Sequence, residues 1–153
     1  RLDMADYDGS ITDLQEAHDL AAPEAKELLI KAHRKRAEVH IKAKNYPRAI
    51  DDLNAALALD PKLDKKINPQ LAVAYRLNGK ELFNKQDFKN AIANLDKAIK
   101  LAPNDAAAYA IRGDCHRELG DLVSALADYN KVLQLRKDNP QGISFPSLKI
   151  PKS

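Results

Sequence analysis

The sequence predicts an all-α fold, a right-handed α-solenoid of about three and a half stacked helix-turn-helix units. Three observations predict it. The composition is 44% hydrophobic and 31% charged, with 5% aromatic residues, no Trp and 5 Gly among 153 residues. That balance supports one domain with a real core and disfavours a β-sandwich or a glycine-punctuated nucleotide-binding fold. The chain also repeats itself: Ala49, Ile50, Leu53, Ala56, Leu57 and Pro61 return as Ala91, Ile92, Leu95, Ala98, Ile99 and Pro103, and again as Ala125, Leu126, Tyr129, Val132 and Leu133. Within each copy the apolar residues fall at i, i+3, i+4 and i+7, the stripe of a helix buried on one side.

Spacing sets the units. Ala91 to Ala125 is 34 residues, Ala49 to Ala91 is 42 and Ser10 to Ala49 is 39, so a base period of 34 carries insertions of 8 and 5. The solenoid is expected over 1–140. It starts with a weaker copy at 8–22 (Tyr7, Ser10, Ile11, Leu14, Ala17, Leu20), read as a lone second helix. Its missing partner is expected upstream of Arg1 or from another chain. Full units follow at about 30–61, 72–103 and 106–139. The insertion at 62–67 is expected to lengthen a loop or add a helical turn, and Asn68-Pro69 is read as a cap with Pro in the first helical position. Pro103-Asn104-Asp105 is read as the cap before Ala106. Ala37, Gly79 and Gly113 on the first helices, and Ala49, Ala91 and Ala125 on the second, are small where two helices must approach closely. After the last helix, residues 141–153 hold Pro146 and Pro151 among loosely alternating Ile143, Phe145, Leu148 and Ile150. This is expected to be an extended tail laid on the final helix pair or on a neighbouring subunit.

The 34-residue spacing, Tyr75 with Asn78-Gly79, Tyr109 with Arg112-Gly113, the turn Leu119-Gly120-Asp121-Leu122, Ala91 with Leu95, and Pro103 together resemble the tetratricopeptide repeat. The departures are His33 and His40 where that family prefers large aromatics, and Arg36, Asn78 and Arg112 in place of Leu before the small residue. These are expected to soften individual helices. The resemblance implies a protein-binding scaffold whose concave wall is lined by the first helix of each pair. Some members of the family hold a chaperone's C-terminal carboxylate in a clamp of Lys, Asn and Arg. Here the matching places carry Arg34 and Glu38, then Leu77, then Ala107 and Ile111, so the clamp is absent and a co-chaperone is disfavoured.

The groove-facing residues are expected to be Lys31, Arg34, Glu38, Ile41 and Lys42 in the first unit, Val73, Arg76, Lys80, Phe83 and Asn84 in the second, and Ala107, Ala110, Asp114, Arg117 and Glu118 in the third. The first two sets are mostly basic, so Arg34, Arg76 and Lys80 are expected to receive carboxylates of an acidic peptide or helix, with Phe83 and Val73 as apolar contacts. Net charge, +3, hides an acidic segment over 1–29 followed by a basic one over 30–49.

Catalytic chemistry finds no support. His33 and His40 are expected to be packing residues without a carboxylate or Cys to complete a metal shell, and adjacent Cys115 and His116 point about 100° apart on a helix, which excludes a dyad between them. Asn78-Gly79-Lys80 lies inside a helix with no preceding strand, so it is no phosphate loop. No cofactor, metal or small-molecule substrate is expected. RNA is the alternative partner, disfavoured by Glu38, Asp114 and Glu118 and by the scarcity of stacking aromatics in the groove. The single Cys points to a reducing intracellular setting, cytoplasmic or inside an organelle after removal of a transit peptide. No apolar run approaches the roughly 18 residues of a membrane span.

Overall fold

The structure, a computed structural model, describes residues 4–19 and 23–139. Among these residues the chain forms α1 (Met4–Asp19), α2 (Pro23–Lys42), α3 (Tyr46–Leu59), a short 3-10 turn (Pro61–Leu63), α4 (Asp64–Asn84), α5 (Phe88–Leu101), α6 (Ala106–Glu118) and α7 (Leu122–Asp138). Each helix packs on its neighbours in sequence, and α4 also touches α6. That one-dimensional order is the α-solenoid expected from the period. The pairs α2/α3, α4/α5 and α6/α7 are preceded by α1 packed against α2. The extended tail expected at 141–153 lies outside the described residues, as do residues 20–22 of the expected half unit.

Each pair closes through the same turn. Lys44 (φ 59°), Gln86 (φ 62°) and Gly120 (φ 81°) occupy the left-handed region at equivalent places. The amides of Asn45, Asp87 and Asp121 donate to the carbonyls of His40, Leu82 and His116 at 2.8, 2.9 and 2.9 Å. The left-handed residue lets the chain turn back while satisfying carbonyls that the helix end would otherwise leave unpaired. Asp87, Asp105 and Asp121 then cap the next helix with their carboxylates.

Two apolar layers fill the stack. Leu29, Leu53, Ile67 and Leu95 are almost wholly buried, each such side chain stabilising the fold by about 1.5–3 kcal/mol. Tyr75 packs against both layers and joins them. The small residues sit at the close approaches: a Cβ on Gly79 would lie 2.7 Å from Leu95 Cγ, and one on Gly113 would lie 2.8 Å from Tyr129 Cε1.

The insertion departs from one expectation. Helix α4 begins at Asp64, so Asn68-Pro69 is not its start and Pro69 stands inside the helix. The reason is Ile67, which is fully buried in the first layer and draws the inserted segment into helix. The gain from this burial offsets the one backbone donor that Pro69 lacks. Asp60 supports the entry by accepting from the Lys62 amide at 3.1 Å.

Candidate functional site

Three of the expected groove residues meet in one place. Lys31, Arg34 and Glu38 on α2 line a cleft of about 690 Å³, together with Lys26, Glu27, Ile30 and Lys35, and its other side is Asp60, Leu63 and Lys66. The inserted segment therefore supplies a wall, through the 3-10 turn and the first turn of α4. Five cations line the cleft against three carboxylates. Lys35 Nζ pairs with Glu38 Oε2 at 3.1 Å. Arg34 Nε is buried and makes no hydrogen bond among the described residues. Ile30 and Leu63 give the cleft an apolar component. Lys26, Lys35, Leu63 and Lys66 were not anticipated from the repeat frame. The available signal was the insertion itself, whose Leu63 and Lys66 are three residues apart and so share a helical face.

The remaining expected groove residues lie elsewhere. Arg76 Nε stands 2.8 Å from Asp105 Oδ2, so this guanidinium, expected to be open to a ligand, is engaged by the cap of α6. Phe83, expected as an apolar contact, is partly buried and packs on the second apolar layer, with its ring 5.6 Å from that of Phe88. Asp114 accepts from the Tyr129 hydroxyl at 2.7 Å and pairs with Arg117 at 3.3 Å, and Arg117 also reaches Glu118 at 3.0 Å. Lys42, Lys80 and Asn84 are exposed, and Val73 is 39% exposed.

A second polar arrangement runs through the interior, and it corrects the expectation that Arg36, Asn78 and Arg112 soften their helices. Arg36 donates from Nε to Asp52 Oδ2 at 2.9 Å and from Nη2 to Asp52 Oδ1, while Nη1 reaches Asp8 on α1 at 2.6 Å. Arg112 does the same to Asp128 at 2.9 and 2.6 Å and to Asp96 on α5 at 2.7 Å. Each arginine thus ties its own second helix to the second helix of the preceding unit. At the middle position Asn78 Nδ2 donates to Asn94 Oδ1 at 2.9 Å, a neutral version of the same link.

The first of these links includes the histidines. His33 Nδ1 is 2.8 Å from Asp52 Oδ1 and His40 Nε2 is 3.8 Å from Asp52 Oδ2. Asp52, only 3% exposed, thus stands beside both histidines, a neighbour that the reading of them as packing residues did not foresee. Burial raises the Asp52 carboxyl, and hydrogen bonds from His33 and Arg36 outweigh that and hold it below the usual carboxylate range. Burial also lowers the His40 imidazole, against the pull of Asp52. Hydrogen bonding to Asp128 raises Arg112. Among the described residues no group of three or more His, Cys, Asp or Glu is placed to hold a metal ion, and no helix is long and apolar enough to cross a membrane.

Two family models, both described as tetratricopeptide repeat, match residues 30–63 and 76–140, together well over half of the chain. Hsp70-Hsp90 organizing protein 1 of Glycine max is 34% identical over 91 residues, covering 58% of this chain and 16% of that protein. A DnaJ homolog subfamily C member 7 homolog of Dictyostelium discoideum is 30% identical over 110 residues, covering 72% of this chain and 20% of that protein. The chain thus spans between a sixth and a fifth of these relatives. Among solved structures, a crystal structure of MamA protein superposes with a TM-score of 0.50 over 92% of this chain and 79% of that one at 19% identity, which speaks to the fold alone. With the period, the three helix pairs and both models in agreement, the chain belongs to the tetratricopeptide repeat family.

Proposed function

We propose that this repeat is a non-enzymatic scaffold that takes an acidic segment of a partner protein, a peptide or a helix, into the cleft between α2 and the start of α4. The observation that carries the reading is Arg34, whose buried Nε has no hydrogen-bond partner among the described residues, in a cleft where Lys26, Lys31, Lys35 and Lys66 outnumber the carboxylates. A partner carboxylate satisfies such a guanidinium with charge-assisted hydrogen bonds, and apolar side chains of the same segment fit against Ile30 and Leu63. Arg76 and Arg117 are each ion-paired, with Asp105 and Asp114, which supports the α2 cleft over them as the receptive surface. Among the described residues no aromatic side chain lines the cleft, which speaks against stacked RNA bases as its cargo.

Relatives named Hsp70-Hsp90 organizing protein favour a second reading, in which the segment ends in a free carboxylate. Arg34 then serves as the clamp's cation, without help from Leu77, Ala107 or Ile111.

Fluorescence anisotropy on the full chain tests both, with a short Glu- and Leu-containing peptide as probe, its C-terminally amidated counterpart and homopolymer RNA. Lys31→Glu with Arg34→Glu is expected to weaken peptide binding about tenfold or more, and to flatten its salt dependence. Lys89→Glu, exposed on α5 and outside the cleft, is expected to change nothing. Equal binding by parent and double variant sinks the proposal. Loss of binding on amidation alone selects the carboxylate reading, and preference for RNA overturns both.

A further inference from the structure

The outer face of each second helix has a counterpart in every unit. In α3 that face holds Tyr46 and Ile50, 8% and 7% exposed, and Leu57, which packs on the first apolar layer. In α5 the equivalent Phe88, Ile92 and Ile99 pack on the second layer. The next helix packs on each, α4 on α3 and α6 on α5. Because the connection is short, that next helix runs antiparallel to the one it covers. In α7 the equivalent residues are Leu122, Leu126 and Leu133, which are 66%, 60% and 53% exposed among the described residues, beside Val123 at 82% and Leu119 at 46%. Asn130 interrupts the stripe between Leu126 and Leu133. So much exposed aliphatic surface on one helix face marks an interface.

We propose that this face of α7 binds the same face of a second copy of the chain, the two helices lying antiparallel about a two-fold axis. Charge selects both the occupant and the direction. At the N-terminal end of the stripe Asp114, Glu118 and Asp121 outnumber Arg117, which is already shared between Asp114 and Glu118. Glu118 and Asp121 are half exposed there. At the C-terminal end Arg136 and Lys137 outnumber Asp138. The face is therefore its own complement when turned end for end, acidic end on basic end, and the opposed helix dipoles favour the same direction. A parallel pair sets Glu118 beside Glu118 and Lys137 beside Lys137, which like-charge repulsion opposes.

The leucines agree with this direction. Leu122 and Leu133 stand equally far from the point midway between Ala127 and Asp128. A two-fold axis through that point lays Leu122 of each copy on Leu133 of the other, with Leu126 close to the axis. It also brings Glu118 to the end of the stripe where Lys137 of the second copy lies. Such a pair, an isologous contact that closes on itself, gives α7 the antiparallel cover that α3 and α5 receive inside the stack. None of these residues lines the α2 cleft, so a dimer carries two such clefts.

Sedimentation velocity on the full chain, from micromolar to millimolar concentration, tests the pairing. The expected result is a reversible equilibrium between monomer and dimer. Leu126→Asp, at an exposed position, is expected to weaken dimerisation at least about tenfold while leaving the helicity seen by circular dichroism unchanged. Glu118→Lys and Lys137→Glu each set like charges together at both ends of the dimer, and each is expected to weaken it several-fold. Mixing these two variants is expected to restore dimerisation, because only the mixed pair has opposite charges at both ends. A monomer mass at every concentration assigns the face to another protein or to another part of the chain and overturns the proposal. Self-association that survives Leu126→Asp, or that runs past the dimer, overturns it as well. A mixture of the charge variants that associates no better than either alone removes the antiparallel arrangement and the proposal with it.

Discussion

The first and third helix pairs solve one problem with one device and differ in how well they back it up. In each, a guanidinium on the first helix forks onto a buried Asp on the second, Arg36 onto Asp52 and Arg112 onto Asp128. Asp52 has two further neighbours, His33 and His40. At the place of His33 the third pair has Tyr109, under the Arg112 guanidinium, and at the place of His40 it has His116, which faces Asp121 at 3.6 Å. Among the ion pairs of the described residues, Asp128 therefore rests on Arg112 alone. A buried charge with several partners tolerates the loss of one, and a buried charge with one partner does not.

Arg112→Met breaks the comparison hardest. It leaves the 4% exposed Asp128 carboxylate without its cation, at an expected cost of about 3–5 kcal/mol. Arg36→Met leaves His33 on Asp52 and is expected to cost about 1–3 kcal/mol, the range of a lost charge-assisted hydrogen bond. Urea unfolding followed by circular dichroism measures both. Equal losses at the two sites refute the backing role of the histidines. Arg112→Met combined with Asp128→Leu should regain most of the loss, since the penalty comes from the stranded charge; the neutral Asn78 to Asn94 link shows that this position accepts an uncharged pair.

His40 also makes the first pair sensitive to pH. Burial holds folded His40 below its ordinary value near 6.5, so on acidification the unfolded chain takes up a proton there before the folded chain does. Stability is thus full above about 6.5 and falls as pH drops toward the lower folded value. Asp52, held below 3.8, acts later: its contribution is present above that value and is lost as pH falls through its folded one. The groups facing His40 are Asp52, Arg36, Arg48 and Asp8, and a small recess beside it is lined by all of them. A Tm series from pH 8 to 5 should show the decline, and His40→Gln should flatten it. Amide exchange should place the acid-induced loosening in α2 and α3 and spare α7; uniform loosening contradicts the local origin.

How much of this was legible in the sequence follows from what periodicity encodes. The helix pairs, the small residues at Ala37, Gly79 and Gly113 and the cap at Asp105 were all readable, because each is a local pattern repeated in register. The Arg36 to Asp52 and Arg112 to Asp128 links were not, because a polar residue in a place the family fills with Leu looks like a defect until its partner, 16 residues on, is seen opposite. The cleft was half readable. Lys31, Arg34 and Glu38 follow from helical phase, whereas Leu63 and Lys66 come from an insertion outside the period, and Ile67 decides its conformation by being buried. Arg76 misled because phase gives a direction in space and says nothing of a neighbouring cap such as Asp105.

The smallest test concerns the turns, where the same comparison runs across all three pairs. Gly120 takes its φ of 81° without a Cβ, while Lys44 and Gln86 hold φ of 59° and 62° with one. An L residue in that region costs about 1 kcal/mol relative to glycine, and glycine gives back part of this through the greater freedom of its unfolded chain. Gln86→Gly and Lys44→Gly are each expected to raise stability by about 0.5–1 kcal/mol. Gly120→Ala should cost a similar amount, and here strain is the sole cause, since no atom outside the local backbone stands within 4 Å of the added Cβ. The three variants share one geometry and differ in sign, so a urea midpoint that moves the same way in all of them shows that the left-handed residue does not set the stability of these turns.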